Sequence, residues 1–218
     1  MKHLKISEND YNRIFVVSDL HGALTKFETL WEELRINKSD LLIICGDSLD
    51  RGEKSLELFE SIIHLVNNGF QIIHLLGNHE KMFYDYMVLE ENKETYLFNG
   101  GEKTAKAYKD YKYINNHLDF IEQMPLIVET ENYIIVHAGL RPNVDLIDQK
   151  EEDLIWIKHD FLDKDLSFFR KKIIHGHSIN SSGKIFFRKN GSISIDCGGY
   201  VNNRIGVLEI KKLDEFYF

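Results

Sequence analysis

Apolar positions in this chain gather in short runs, and each run breaks on a polar turn. Ile14–Val17 leads into Ser18-Asp19-Leu20-His21-Gly22. Leu41–Ile44 leads into Cys45-Gly46-Asp47-Ser48-Leu49-Asp50-Arg51-Gly52, and Ile72–Leu76 into Gly77-Asn78-His79-Glu80. Ile134–Val136 precedes His137-Ala138-Gly139, and Ile173-Ile174 precedes His175-Gly176-His177. Short apolar runs bounded by turn residues predict buried strands. Between the first three the period changes. Leu24, Phe27, Leu30, Trp31 and Leu34 fall on one helical face, as do Leu56, Phe59, Ile62, Ile63 and Val66. Asn67-Asn68-Gly69 stops the second helix with residues that tolerate left-handed backbone. The first eighty residues therefore predict β-α-β-α-β, the pattern of a parallel sheet covered on both faces.

The pattern then shifts. Residues 81–124 are polar and helical in period, broken at Asn99-Gly100-Gly101. They predict a helical insertion over one edge of the site; a plain scaffold helix pair fits the pattern equally. Leu126–Glu129 and Tyr133–His137 predict a hairpin through Thr130-Glu131-Asn132. Glu151–Trp156 and Lys164–Phe169 predict short helices. Ile173–His175, Lys184–Arg188, Ile193–Asp196 and Ile205–Ile210 predict strands, with Asn190-Gly191 as a hairpin turn. The second half thus predicts a largely antiparallel sheet, and two facing sheets with helices outside close the fold as one domain over 1–218.

Composition changes this picture little. The 218 residues carry a net charge of -8, which argues against general nucleic-acid binding. Two cysteines, Cys45 and Cys197, make no disulfide framework. Residues 1–10 carry no apolar signal segment, and no run is long enough to span a membrane, so a cytoplasmic location is expected. The oligomeric state is not legible.

The chemistry lies at the strand ends. In open α/β sheets the ligand crevice lies beyond the carboxyl ends of the strands. Five ends converging on one crevice would assemble three Asp, one Asn and four His. Asp19 and His21, two apart around a turn, can reach one ion. Asp47 has two oxygens and can bridge two ions. Asn78, His137 and His177 offer one neutral oxygen and two imidazoles to the second. Oxygen and nitrogen ligands without thiolate suit Mn²⁺, Fe or Zn²⁺. Two such ions clamp the attacking and leaving oxygens of a displacement and acidify a bridging water. Each fragment alone is ordinary turn chemistry: Asp-x-His-Gly and Gly-Asp recur widely. Their joint order along the chain is what carries the reading.

These five motifs resemble the phosphoprotein phosphatase branch of the calcineurin-like metallophosphoesterases, most closely the small bacterial and phage Ser/Thr phosphatases. The resemblance runs from Asp19 to the C-terminal strands. It implies an α/β four-layer sandwich, two mixed β-sheets flanked by helices, with a dinuclear site at the sheet edge. It implies two divalent cations, Mn²⁺ first, with Fe or Zn²⁺ as alternatives. Asp19, His21 and Asp47 would hold one ion; Asp47, Asn78, His137 and His177 would hold the other. It makes His79 the acid that protonates the leaving oxygen, with Asp50 orienting it, and Arg51 a fork for phosphate oxygens. Glu80 either supports this region or is simply a carboxylate at a helix N-terminus. His175 should face away from the ions; His64, His74, His117 and His159 have no motif context.

Two departures stand out. Relatives often carry Arg immediately before Gly-Asn-His-Glu, where this chain has Leu76. Relatives also often carry Arg where Lys158 stands, and Lys is a point charge rather than a planar fork. Arg141 could compensate, or be a plain turn arginine. The implied activity is hydrolysis of phosphate monoesters by a metal-bridging hydroxide, on a phosphorylated protein or a small phosphoester. The alternative is a symmetrical dinucleoside-polyphosphate hydrolase. Asp50-Arg51 and Glu80 resemble the protein phosphatases.

Overall fold

Alternation along the strands sorts the apolar side chains into layers. The computed structural model describes residues 2–218. Its strands are β1 (His3–Lys5), β2 (Ile14–Val17), β3 (Leu41–Ile44), β4 (Gln71–His74), β5 (Ile127–Glu129) and β6 (Tyr133–Val136). They continue as β7 (Lys172–His175), β8 (Phe186–Phe187), β9 (Ser192–Ser194), β10 (Gly206–Glu209) and β11 (Asp214–Tyr217). The helices are α1 (Leu24–Leu34), α2 (Ser55–Asn67), α3 (Asn78–Tyr84), α4 (Lys93–Tyr96), α5 (Glu102–Tyr108), α6 (Ile114–Gln123), α7 (Glu151–Trp156) and α8 (His159–Leu162).

Ile14, Val16, Leu41 and Ile43 point from one sheet toward Ile135, Ile174 and Ile193 of the other. Their neighbours Phe15, Val17, Leu42 and Ile44 face the opposite way, onto Phe27 and Leu30 of α1 and Leu58 and Ile62 of α2. On the far side Ile134, Val136 and Ile173 meet Phe83, Ile121 and Leu154. The result is helices, sheet, sheet, helices. Burying each such side chain is worth about 1.5–3 kcal/mol. A one-residue slip would turn every side chain to the wrong layer, so the register is firmly set.

The five-stranded sheet has the order β11-β10-β2-β3-β4, the six-stranded sheet β1-β5-β6-β7-β9-β8. β2, β3 and β4 are parallel, as the β-α-β-α-β pattern predicts. The second half departs from the antiparallel expectation. β5 and β6 form the predicted antiparallel pair, but β6, β7 and β9 run parallel. The chain between β6 and β7 carries α7 and α8, and a crossover of that length returns the chain in the same direction. Parallel pairing matters here, because it brings the carboxyl ends of β6 and β7 to one edge.

Other boundaries also differ. Lys164–Phe169 holds only a 3-10 turn at Ser167–Phe169, and the helix forms earlier, at α8. The strand over Lys184–Arg188 shrinks to β8. β10 joins the first sheet, antiparallel to β2, with Val207 opposite Val17. The polar end strands β1 and β11 are absent from the sequence reading because they lack an apolar run. Residues 81–124 form α3 to α6 with two wide helical turns, at Asp85–Leu89 and Leu97–Gly101. Among the described residues no helix is long and apolar enough to cross a membrane.

Candidate metal centre

The turns after β2, β3, β4, β6 and β7 meet at the edge between the sheets. Backbone hydrogen bonds tie them together: Asp19 N–H to Gly46 O at 3.2 Å, His21 N–H to Asp47 O at 2.9 Å, and Gly176 N–H to His137 O at 2.8 Å. Asp19, His21, Asp47, Asp50, Arg51 and His177 all hold left-handed backbone, φ between 41° and 69°. Non-glycine residues seldom adopt it, and such strain clusters at functional sites. No side chain fits at Gly77, where a Cβ would overlap the Asp47 carboxylate. This explains the glycine in Gly77-Asn78-His79-Glu80.

Asp47 sits at the centre. Its Oδ2 lies 3.4 Å from His137 Nε2 and 3.9 Å from His21 Nε2, and its Oδ1 accepts the His79 N–H at 3.0 Å. On one side stand His21 and Asp19, with His21 Nε2 4.0 Å from Asp19 Oδ1. Asp19 Oδ2 is already engaged by the Ser18 hydroxyl and the His177 N–H, leaving Oδ1 toward the site. On the other side Asn78 Oδ1 lies 2.9 Å from His137 Nε2. Two imidazoles are aimed by backbone carbonyls: His21 Nδ1 donates to Leu49 O at 2.8 Å, and His137 Nδ1 to Cys45 O at 2.7 Å. Each ring thereby turns Nε2 inward, the arrangement metal-binding histidines use.

The charges show why cations suit this centre. Burial, with Asp196 and Asp47 nearby, pushes Asp19 well above the usual carboxylate range. Burial would raise Asp47 too, but His137, His79 and His21 outweigh it and hold Asp47 well below that range. Burial pushes His21 and His177 down to about 3. It would also lower His137, but the Asp47 carboxylate reverses this and holds it at about 10. The buried Nε2 atoms of His79 and His177 have no hydrogen-bond partner. Buried polar atoms are seldom left unpaired, so inward-facing Nε2 atoms beside buried carboxylates fit a cation site. Two clusters meet the distance requirement for an ion: Asp47, His137 and His177; and His21, Asp47 and His79. Both contain Asp47. The second includes His79 where the sequence reading has Asp19.

Arg51 Nη1 lies 3.1 Å from His21 Nε2, so its guanidinium stands where a cation would otherwise meet that nitrogen. His79 and Asp50 are fully buried, and His79 Nδ1 donates to Asp50 Oδ2 at 2.8 Å. The open side is a cavity of about 390 Å³, bordered by Arg51, Asn78, Asn99, Trp156, Lys158 and His177. Lys158 thus faces the centre. Arg141 does not: it is bound to Asp153 and to Asp160 on a neighbouring cavity. His175 turns away, its Nε2 2.8 Å from Ser194 Oγ.

Glu80 proves more than a helix-end carboxylate. Fully buried, it accepts four backbone N–H groups: Asp47 and Ser48 at 2.8 Å, Leu49 and Gly77 at 3.2 Å. It therefore fixes the turn that carries Asp47. Truncation strands several buried donors, each worth about 1–3 kcal/mol. Glu80→Ala should cost about 4 kcal/mol or more. Thermal unfolding checks this; a loss under about 1 kcal/mol would contradict it. Asp196, which the sequence marks only as a strand end, is buried and pushed up to about 6 by burial, and it accepts the Gly198 N–H at 2.8 Å.

The sequence profile of calcineurin-like phosphoesterase matches residues 12–203. The chain belongs to this family. Among curated relatives, serine/threonine-protein phosphatase 2 of Salmonella typhimurium is 31% identical over 143 residues, 63% of either chain. Its namesake of Escherichia coli K12 is 28% identical, over 96% of this chain and 98% of that one. The symmetrical bis(5'-nucleosyl)-tetraphosphatase of Wigglesworthia glossinidia brevipalpis is 29% identical over 62% of this chain and 47% of its own length. A solved structure described as a candidate diadenosine tetraphosphatase superposes with a TM-score of 0.76, at 17% identity, over 100% of this chain and 97% of that one. That likeness speaks for the fold alone. The family is one of metal-dependent phosphoesterases, and the centre of this chain holds candidate metal-binding residues.

Proposed function

We propose that this phosphoesterase is a serine/threonine protein phosphatase with two divalent cations, Mn²⁺ foremost. Asp19, His21 and Asp47 would hold one ion; Asp47, Asn78, His137 and His177 the other. When bound, the pair supplies charge to the phosphate and activates the attacking water. The protein does the rest. Arg51 leaves His21 to grip phosphate oxygens, and Lys158, on the cavity wall, adds a point charge. His79, held by Asp50, delivers a proton from Nε2 to the departing oxygen. The two free cysteines fit a reducing, cytoplasmic setting.

One observation carries the choice of substrate: the buried Asp50–His79 pair with its unpaired Nε2. A serine or threonine alkoxide leaves poorly without a proton. A nucleotide leaving through a phosphoanhydride bond is a weak base and needs little help. An organised acid is therefore suited to an alkyl ester. The second reading, a symmetrical dinucleoside-tetraphosphate hydrolase, draws support from the Wigglesworthia relative. One Mn²⁺-loaded sample, assayed side by side on a phosphoserine peptide and on diadenosine tetraphosphate, separates them. The peptide should have the higher kcat/KM; a clear preference for the dinucleotide would reverse the assignment.

A further inference from the structure

We propose that Tyr96 is a positioning residue for the acid: its hydroxyl holds the Asp50 carboxylate in the orientation that aims His79 at the leaving oxygen. This rests on the reading of His79 as the acid. Tyr96 ends α4, within residues 81–124, and is fully buried. Its hydroxyl donates to Asp50 Oδ1 at 2.9 Å, while Oδ2 takes His79 Nδ1 at 2.8 Å. With both oxygens engaged, the carboxylate cannot turn without losing a bond. Burial and the Asp50 charge push the phenol well above its ordinary range, so it stays a donor.

A buried phenol always needs some partner, so the bond alone could be mere satisfaction. The surrounding segment argues otherwise. Its turn at Leu97–Gly101 closes on the residue after Asp50: the Arg51 N–H donates to Gly100 O at 3.0 Å. Gly100, at φ 100°, lies beneath Arg51, where a Cβ would come within 3.0 Å of Arg51 Cγ. Gly101 lies flat on the Tyr96 ring, and a Cβ there would overlap the ring carbons. Tyr86 packs on the same ring, centroids 4.8 Å apart. The phenol thus has one place to stand. One segment fixes both Asp50 and Arg51, the neighbours proposed to serve the leaving group and the phosphate. The helical insertion is in this way part of the catalytic apparatus.

The test uses the full Mn²⁺-loaded chain, with a phosphoserine peptide and p-nitrophenyl phosphate. A hydrogen bond to a charged group, once lost, weakens the step it serves about tenfold. Tyr96→Phe should lower kcat on the peptide about tenfold, with KM and metal content held, and lower kcat on p-nitrophenyl phosphate much less. Gly101→Ala keeps the hydroxyl but displaces the ring, and should show the same asymmetry. If Tyr96→Phe does not fold, Gly101→Ala decides. Equal losses on both substrates, or no loss, would overturn the positioning role. His79→Asn runs alongside. If it also treats the substrates alike, the acid reading itself has failed. If it discriminates and the Tyr96 and Gly101 variants do not, only the role of Tyr96 has failed.

Discussion

Replacing His79 by asparagine should slow hydrolysis of a phosphoserine peptide by about 10²–10⁴-fold, the usual contribution of a general acid. The same variant should lose far less on p-nitrophenyl phosphate, whose leaving group departs without a proton. Asparagine can still donate toward Asp50, so the pocket need not collapse. His79 Nδ1 already serves Asp50, and only Nε2 remains to act. His79 also belongs to a candidate ion cluster with His21 and Asp47, with the His21 and His79 rings 4.8 Å apart. Metal content measured in the same samples therefore separates the two roles. Unchanged metal with leaving-group-dependent loss supports the acid. Lost metal, or equal loss on both substrates, makes His79 a ligand or a charge stabiliser instead.

Asp47→Ala should be more damaging than Asp19→Ala, and the geometry says why. Asp47 belongs to both candidate clusters, close to His137 on one side and His21 on the other. Asp19 has only Oδ1 free, because Oδ2 accepts from Ser18 and His177. Loss of outer-shell partners at metal sites costs about 10–100-fold, so loss of a shared ligand should exceed about 100-fold. Asp47→Ala should release metal from both halves. Asp19→Ala should keep the ion nearer His137. Equal residual metal and equal activity in the two variants would refute the bridging role.

Most of the centre was legible because its residues sit at strand ends, where an apolar run and a polar turn are local signals. Asp19, Asp47, Asn78, His137 and His177 were found this way, and the structure brings them together. His175 faces away from them because strand alternation continues past Ile174. Glu80 and Tyr96 were not legible in their roles, since both act across distance in the chain. Glu80 reaches back to the Asp47–Leu49 backbone, and Tyr96 to Asp50 from another helix. The sequence leaves Arg141 open between a phosphate contact and a plain turn arginine, because its partners Asp153 of α7 and Asp160 of α8 lie more than ten residues further along the chain. The parallel arrangement of β6, β7 and β9 was missed for a related reason: strand period does not encode direction, and the crossover helices α7 and α8 are short.

The most direct test is a Mn²⁺ titration of the metal-stripped protein, following bound metal and turnover of a phosphoserine peptide together. Turnover should be negligible in chelator and should rise to its plateau only as binding approaches two ions per chain. Full activity with a single bound ion, or hydrolysis that persists without metal, would contradict the account.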